Sequence, residues 1–379
     1  MEWIINTVYY VVPFIVLLGI LVFVHEFGHF IVARLSGVQV DAFSIGFGRS
    51  LWSRKDKYGT EWKLSLIPLG GYCQFLGDAD GASAGVDEKV QTLTEEEKKK
   101  AFPFQNPFKK LAIVLAGPLA NYFFAIVIFT IIFASLGKVV FPPIVGEVIA
   151  GSAAEKAGII ANDRILSVNG HHISSFDDIR KEVTLIDNDN IATIVLERNS
   201  ESMTLTFPIT ELEYPAMGGD VPTKQRMLGI KSLNKVEVEY IQMGIGTAFV
   251  DAVQQTWDLT MVTLYGVGQM ITGKRSSEEL GGIIRIAEMS GDITKRYGWL
   301  DFVMFMAMLS VNLGLINLFP IPVLDGGHIV IFLLEIITGK EINSRVKETL
   351  FKIGFGLLLL LMVFATWNDV VHLFDRWFN

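Results

Sequence analysis

A single cysteine, Cys73, in 379 residues excludes an intrachain disulfide and with it a small secreted scaffold held by cross-links. Charge is scarce as well: 19% of residues are Asp, Glu, Lys or Arg, against about a quarter in soluble domains. Basic residues are the smaller share, 32 against 40 acidic, for a net charge of −8. No strongly basic surface is left to neutralise phosphates, so nucleic acid is excluded as a partner. What the chain has in excess is apolar residues, 51% of the total with a mean hydropathy of +0.42. That content excludes disorder and needs somewhere other than a water-facing surface to go.

Crossing a bilayer takes about 20 residues of helix. Uncharged runs of that order occupy Trp3 to Val24, Leu111 to Gly137 and Phe302 to Leu324. A fourth run, Ile353 to Asn368, spans only if Lys352 snorkels and the helix continues through Val371. The first run lacks a basic leader and ends in His25-Glu26-Phe27-Gly28-His29 rather than a small-residue cleavage site, so it reads as a retained span and not a signal peptide. Lys and Arg are absent before Arg34, number 12 from Arg34 to Lys110, and number 15 over the 161 residues from Gly137 to Tyr297. The positive-inside rule therefore makes the first loop cytoplasmic and puts both termini and the central region on the outer side.

Between the spans, Val38 to Phe47 and Thr60 to Ile67 alternate as half-buried strands do, punctuated by Gly46-Phe47-Gly48 and Pro68-Leu69-Gly70-Gly71. A membrane-associated hairpin or sheet follows. The block Glu95 to Lys100 reads as a solvated linker or short helix. From Pro142 to about Glu213 the order is strand, short helix ended by Gly158, strand, and an Asn169-Gly170 turn. This looks like one PDZ domain, a module that binds peptides or chain ends by strand addition. His171 and His172, beside the turn, read as surface residues. Tyr240 to Thr272 is amphipathic, with Phe249, Val253 and Trp257 apolar but Asp251 and Asp258 included, so it is expected to lie along the membrane surface. Gly281-Gly282 reads as a hinge or close-packing element.

His25-Glu26-Phe27-Gly28-His29 has the HExxH pattern. Residues four apart share a helix face, so both imidazoles can reach one zinc ion while Glu26 reaches the attacking water as general base. An ionisable cluster at the end of an apolar span is costly there, which points to function. A catalytic zinc takes a third protein ligand. The other polar cluster set into a span is Asn317-Leu318-Phe319-Pro320-Ile321-Pro322-Val323-Leu324-Asp325-Gly326-Gly327-His328, whose two prolines unwind the helix where backbone must line a protein interior or wet cavity. Asp325 is the favoured third ligand, with His328 as the competitor. Asn317 is a candidate to hydrogen-bond the substrate backbone or oxyanion, and Asn121 either glues helices or acts near substrate.

These segments resemble the site-2 protease family of intramembrane zinc metalloproteases, of the bacterial regulator-of-sigma-E type. The family pattern of HExxH in the first span and NxxPxxxLDG in a later one is matched by Asn317, Pro320, Leu324, Asp325 and Gly326. Further matches are Gly117-Pro118-Leu119-Ala120-Asn121, Ser44-Ile45-Gly46-Phe47-Gly48 and Ile67-Pro68-Leu69-Gly70-Gly71-Tyr72. The resemblance implies that His25, His29 and Asp325 bind Zn2+ and that Glu26 is the catalytic base. It further implies single-span membrane substrates, such as anti-sigma factors or signal-peptide remnants, and a bacterial inner-membrane location with the PDZ domain on the periplasmic side. The chain departs from the best-known members in having room for one PDZ domain rather than two, and in carrying Ile283 where a proline is common.

The expected architecture is a polytopic α-helical membrane protein of about four transmembrane helices, with a membrane-associated β-hairpin or sheet and one outer-side PDZ (α+β) domain. Its segments are 1–36 (first span), 37–107 (cytoplasmic loop), 108–137 (second span), 142–213 (PDZ), 214–298 (amphipathic surface region), 299–328 (third span), 329–347 (cytoplasmic connection) and 348–372 (fourth span). Two rivals remain. A secondary transporter also uses broken helices at mid-membrane, but four spans without an inverted repeat are too few and HExxH carries a base it does not need. An inactive scaffold presenting the PDZ domain is disfavoured by an intact Glu26 between both histidines.

Overall fold

A computed structural model describes residues 2–78, 90, 92–186, 190–215, 222–232, 239–273 and 281–378. The order begins α1 (Glu2–Leu35), β1 (Val40–Lys55), β2 (Glu61–Phe75), α2 (Glu95–Lys98) and α3 (Pro107–Leu136). It continues β3 (Lys138–Val140), β4 (Val145–Val148), α4 (Ala153–Lys156), β5 (Arg164–Val168), β6 (His171–His172), α5 (Phe176–Thr184), β7 (Ile191–Arg198) and β8 (Glu201–Pro208). Then come β9 (Thr210–Pro215), β10 (Pro222–Met227), β11 (Ile230–Ser232), β12 (Glu239–Ile241) and α6 (Ile245–Ile271). The last helices are α7 (Ile283–Arg296), α8 (Trp299–Asn317), α9 (Asp325–Thr338) and α10 (Ser344–Phe378). The chain divides into two compact units, Met1–Ile128 with Gly281–Val370, and Phe129–Leu280 with Val371–Asn379.

Among the described residues, four helices are long and apolar enough to cross a membrane: Tyr9–Leu35, Pro107–Leu136, Trp299–Asn317 and Arg345–His372. The fourth exposes most of its apolar side chains, Leu357, Leu360 and Val363 among them, as a helix facing lipid tails does. Lipid gives no hydrophobic drive for helices to associate, so close contact depends on small residues and buried polar bonds. In the first unit Gly28 of α1 lies so near the Ala116 carbonyl and the Ala120 side chain of α3 that a methyl group there would overlap both. The Ser310 hydroxyl on α8 donates to the Asn121 carbonyl at 2.9 Å.

The third span stops at Asn317, as its prolines require. The chain turns through 318–324, where Ile321 N–H donates to Phe319 O and Leu324 N–H to Ile321 O, and starts afresh as α9 at Asp325. This corrects two expected boundaries. The segment 299–328 is not one span, and the connection 329–347 is mostly helix, because Ile331 and Phe332 of α9 are apolar and pack into the core with Phe30, Phe43 and Phe75. Glu335, near the end of α9, is buried and holds Lys347 at 2.6 Å and the Ile342 N–H at 3.1 Å, which ties α9 to the start of α10. Asp369 of α10, also buried, accepts from the main-chain N–H groups of Gly282, Ile284 and Arg285, and so caps α7. Gly282 is therefore a close-packing cap rather than a free hinge.

The strands after α1 are longer than their alternation indicates. β2 runs through Pro68-Leu69-Gly70-Gly71 to Phe75 instead of stopping there. Its two halves flank β1: Ala42 to Ile45 pair with Gln74 to Gly71 on one side and with Glu61 to Leu64 on the other, while Ser50 to Lys55 pair with Ser65 to Glu61. Residues 61–64 are thus interior, and 71–75 form an edge. Arg34, in the last turn of α1, reaches Asp56 at 2.5 Å and Thr60 at 2.7 Å, which braces the hairpin against its helix.

In the second unit, β6-β5-β7-β8 form an antiparallel sheet over a core that includes Val145, Ile165, Ile194 and Leu196. The expected end at residue 213 is too early. β11 pairs with β4, and Leu228 is buried in the same core, so the fold needs a strand that returns some 80 residues later to cover β4. The stretch 214–298 is correspondingly not one amphipathic region: it holds β10, β11 and β12 before α6 and α7, with part of it outside the described residues. Helix α6 does show the expected stripe, with Ile245, Phe249, Val253 and Trp257 exposed at four-residue steps. Its acids face the other way, Asp251 to Lys138 at 3.3 Å and Asp258 to Lys181 at 2.6 Å. His171 and His172 are exposed, as expected.

Candidate metal centre

His25 and His29 occupy adjacent turns on one face of α1, and Asp325 is the first residue of α9. The break at 318–324 is what lets a side chain from beyond the third span enter the bundle at this depth. The three meet. His25 Nε2 lies 3.1 Å from Asp325 Oδ2, His29 Nε2 lies 3.4 Å from the same oxygen, and the two nitrogens are 3.3 Å apart. Ligand atoms at about 2.0–2.1 Å from a tetrahedral zinc stand about 3.3–3.4 Å from one another. The triangle has the size that ion requires.

Its chemistry agrees. His29 Nδ1 lies 2.8 Å from the Ile113 carbonyl, which can only accept, so the proton of a neutral ring is on Nδ1 and Nε2 presents a lone pair. Asp325 Oδ2 is buried and has no hydrogen-bond partner among the described residues. Lone pairs converging from a nitrogen and a carboxylate in a buried place repel each other unless a cation lies between them. Among the described residues, these three are the group of His, Cys, Asp and Glu side chains able to hold a metal ion.

Helix α3 forms the wall behind the histidines. At Gly117 any side chain would overlap the His29 ring, so glycine there is what allows α3 to approach. Four residues to either side on that face stand Ile113, which holds His29, and Asn121, whose amide lies 3.2 Å from His25 Nδ1. The β2 edge closes another side, where Gly71 packs against Val22 and Glu26.

The remaining candidates are placed differently. Glu26 follows His25 on α1 beside this group, as its position in the motif requires. His328 is not one of the converging side chains: it lies nearly a turn further along α9, with Nε2 buried and without a hydrogen-bond partner among the described residues. Asn317 donates one of its two amide hydrogens back to the Leu313 carbonyl of its own helix at 3.1 Å, which fixes the side chain against α8 and leaves the second hydrogen available. Asn121 does more than join helices or face substrate, since its amide touches a histidine of the triangle. Ile113 is not singled out by the sequence, and Gly117 enters there only as part of the match to the family from Gly117 to Asn121, without a role of its own. The one trace of them in the sequence is the small-then-polar step from Gly117 to Asn121 in an otherwise apolar span.

Comparison with known proteins adds an independent line. A family model described as Peptidase family M50 matches residues 13–361. The chain is 38% identical to the "Putative zinc metalloprotease R01501" of Rhizobium meliloti, over 99% of this chain and 100% of that protein. It is 40% identical to a protein of the same description from Rickettsia conorii, over 96% and 99% of the two chains. It is 32% identical to "Protease RseP" of Yersinia pestis, over 95% of this chain and 98% of that one.

Proposed function

Since the chain belongs to peptidase family M50, the site-2 zinc metalloproteases, we propose that it hydrolyses peptide bonds within or beside the transmembrane segments of single-span membrane proteins. The observation that carries this reading is the triangle of His25, His29 and Asp325 at the end of an apolar span. When bound, zinc supplies a Lewis acid that polarises a peptide carbonyl and makes a water acidic enough to attack near neutral pH. Glu26 takes the proton from that water and hands it to the leaving nitrogen, a role worth about 10²–10⁴-fold in rate.

The substrate sets the harder problem. A transmembrane helix hides its carbonyls in its own hydrogen bonds, and each group exposed to hydrocarbon costs several kcal/mol. An added β-strand would replace those partners. Residues 61–64 are not free for this, because they already have residues 42–45 of β1 on one side and residues 52–55 of β1 on the other. The strand at 71–75 has an edge toward Glu26 and is the better template.

In this reading the first loop is cytoplasmic, α6 lies along the outer membrane surface, and the unit built on β4 to β11 is a PDZ domain that takes peptide or chain ends. Anti-sigma factors and signal-peptide remnants are the substrate classes that fit. The test uses the purified protein in lipid vesicles with two synthetic single-span helices, one with Asn-Pro at its centre and one with leucine throughout. We expect the first to be cut inside its span at least about tenfold faster, equivalent to about 1.4 kcal/mol less opening cost. A zinc chelator should stop the reaction and added zinc restore it. Equal rates for the two helices, or cleavage indifferent to chelation, would contradict the proposal.

A further inference from the structure

The zinc reading above leaves open how His25 is held, and the structure answers it from the neighbouring helix. His29 has its proton position dictated by a carbonyl, Ile113 O, that can only accept. His25 has no such fixed partner. Its Nδ1 faces the amide of Asn121, which is fully buried, and that amide's Oδ1 has no hydrogen-bond partner among the described residues.

An amide can present either end, the two being interchanged by a half-turn about one side-chain bond. With the NH2 end toward Nδ1, the ring must carry its proton on Nε2, the atom that faces His29 and Asp325. It then cannot serve a metal, and Oδ1 stays stranded. With the carbonyl end toward Nδ1, the oxygen accepts the Nδ1 proton, Nε2 keeps its lone pair, and the stranded acceptor is satisfied. We infer that Asn121 is a positioning residue for the metal centre: its side-chain oxygen holds the proton of His25 on Nδ1 and turns Nε2 toward the ion. Ile113 and Asn121 then do the same task for the two histidines from one face of α3, with Gly117 between them leaving room for a ring.

A role in helix packing alone predicts something different. Packing runs through the Asn121 main-chain carbonyl, which accepts from the Ser310 hydroxyl, and no change of the Asn121 side chain removes that acceptor. The measurement is zinc affinity of the purified full chain in detergent, by competition with a chromophoric chelator, alongside the thermal midpoint of the zinc-free protein. Asn121→Leu, close in size but without an acceptor, should bind zinc about 10–100-fold more weakly with its midpoint near that of the parent. Asn121→Asp, which accepts and cannot donate, should stay within a few-fold of the parent. Ser310→Ala should leave the affinity unchanged. Parental affinity in Asn121→Leu, or an Asn121→Asp protein that loses zinc by tenfold or more, overturns the inference. Should Asn121→Leu not fold, the aspartate variant still decides. Failure here is distinct from failure of the zinc site itself, which would show as an Asp325→Ala protein that binds zinc as the parent does.

Discussion

Glu26→Gln is expected to stop peptide cleavage while the protein keeps its zinc. Glutamine has the size of glutamate and leaves the packing of Gly71 against this position unchanged, but it cannot take a proton. The loss should be at least about 10²–10⁴-fold in rate, the range for a positioned general base. Zinc content should stay at the parental level because the side chains placed to hold an ion are His25, His29 and Asp325, and Glu26 is not among them. The check pairs metal analysis with cleavage of the Asn-Pro model helix. A variant that still cleaves at the parental rate would show that proton transfer goes through another group. One that loses zinc and activity together would make Glu26 part of the metal shell.

The second large effect is expected from Gly117→Ala, the smallest change a side chain allows. On an exposed helix it would stabilise, since glycine in a helix interior costs roughly 0.5–1 kcal/mol relative to alanine. Here the new methyl would fall inside the imidazole of His29, so the ring or the whole of α3 must move. Ligand geometry tolerates little displacement: a misplacement of about 1 Å costs on the order of 100-fold in rate. We expect zinc binding and cleavage to fall together by about that factor, in a protein whose helix content by circular dichroism is unchanged. Unaltered zinc affinity would mean that α3 does not abut the metal centre.

Much of this centre is readable without coordinates because its chemistry is local. His25 and His29 share a helix face at a spacing of four, and the prolines at 320 and 322 stop one helix just before Asp325 begins another. The choice between Asp325 and His328 was not local. Both sit in the first turn of α9, and only the packing of that turn against α1 brings the carboxylate, and not the imidazole, to the histidines. The contacts that Asn121, Gly117 and Ile113 make with the two histidines were not legible for a similar reason. A glycine or asparagine in an apolar span serves helix packing in general, and which side chain it meets is a property of another helix nearly a hundred residues away.

The β elements show the same division. The alternation at 61–67 marks a strand, yet its continuation through Pro68 and the two following glycines goes against local preference. It is held by pairing to Ser44 and Ile45. Likewise β11 is three residues long and has no pattern of its own. It exists because β4 needs a partner, which is why the domain boundary at 213 could not be placed from composition. The capping of α7 by Asp369 depends on a contact across 87 residues, so the Gly281-Gly282 pair could be read only as a generic hinge.

The proposed hydrolysis requires two remote parts of the chain to hold one ion between them. The most direct measurement of that is the zinc content of the purified full chain beside its Asp325→Ala form. We expect about one zinc per chain in the parent and none retained in the variant, since two imidazoles alone make an incomplete site. An Asp325→Ala protein that carries zinc in parental amount would contradict the convergence of α1 and α9 on a common metal.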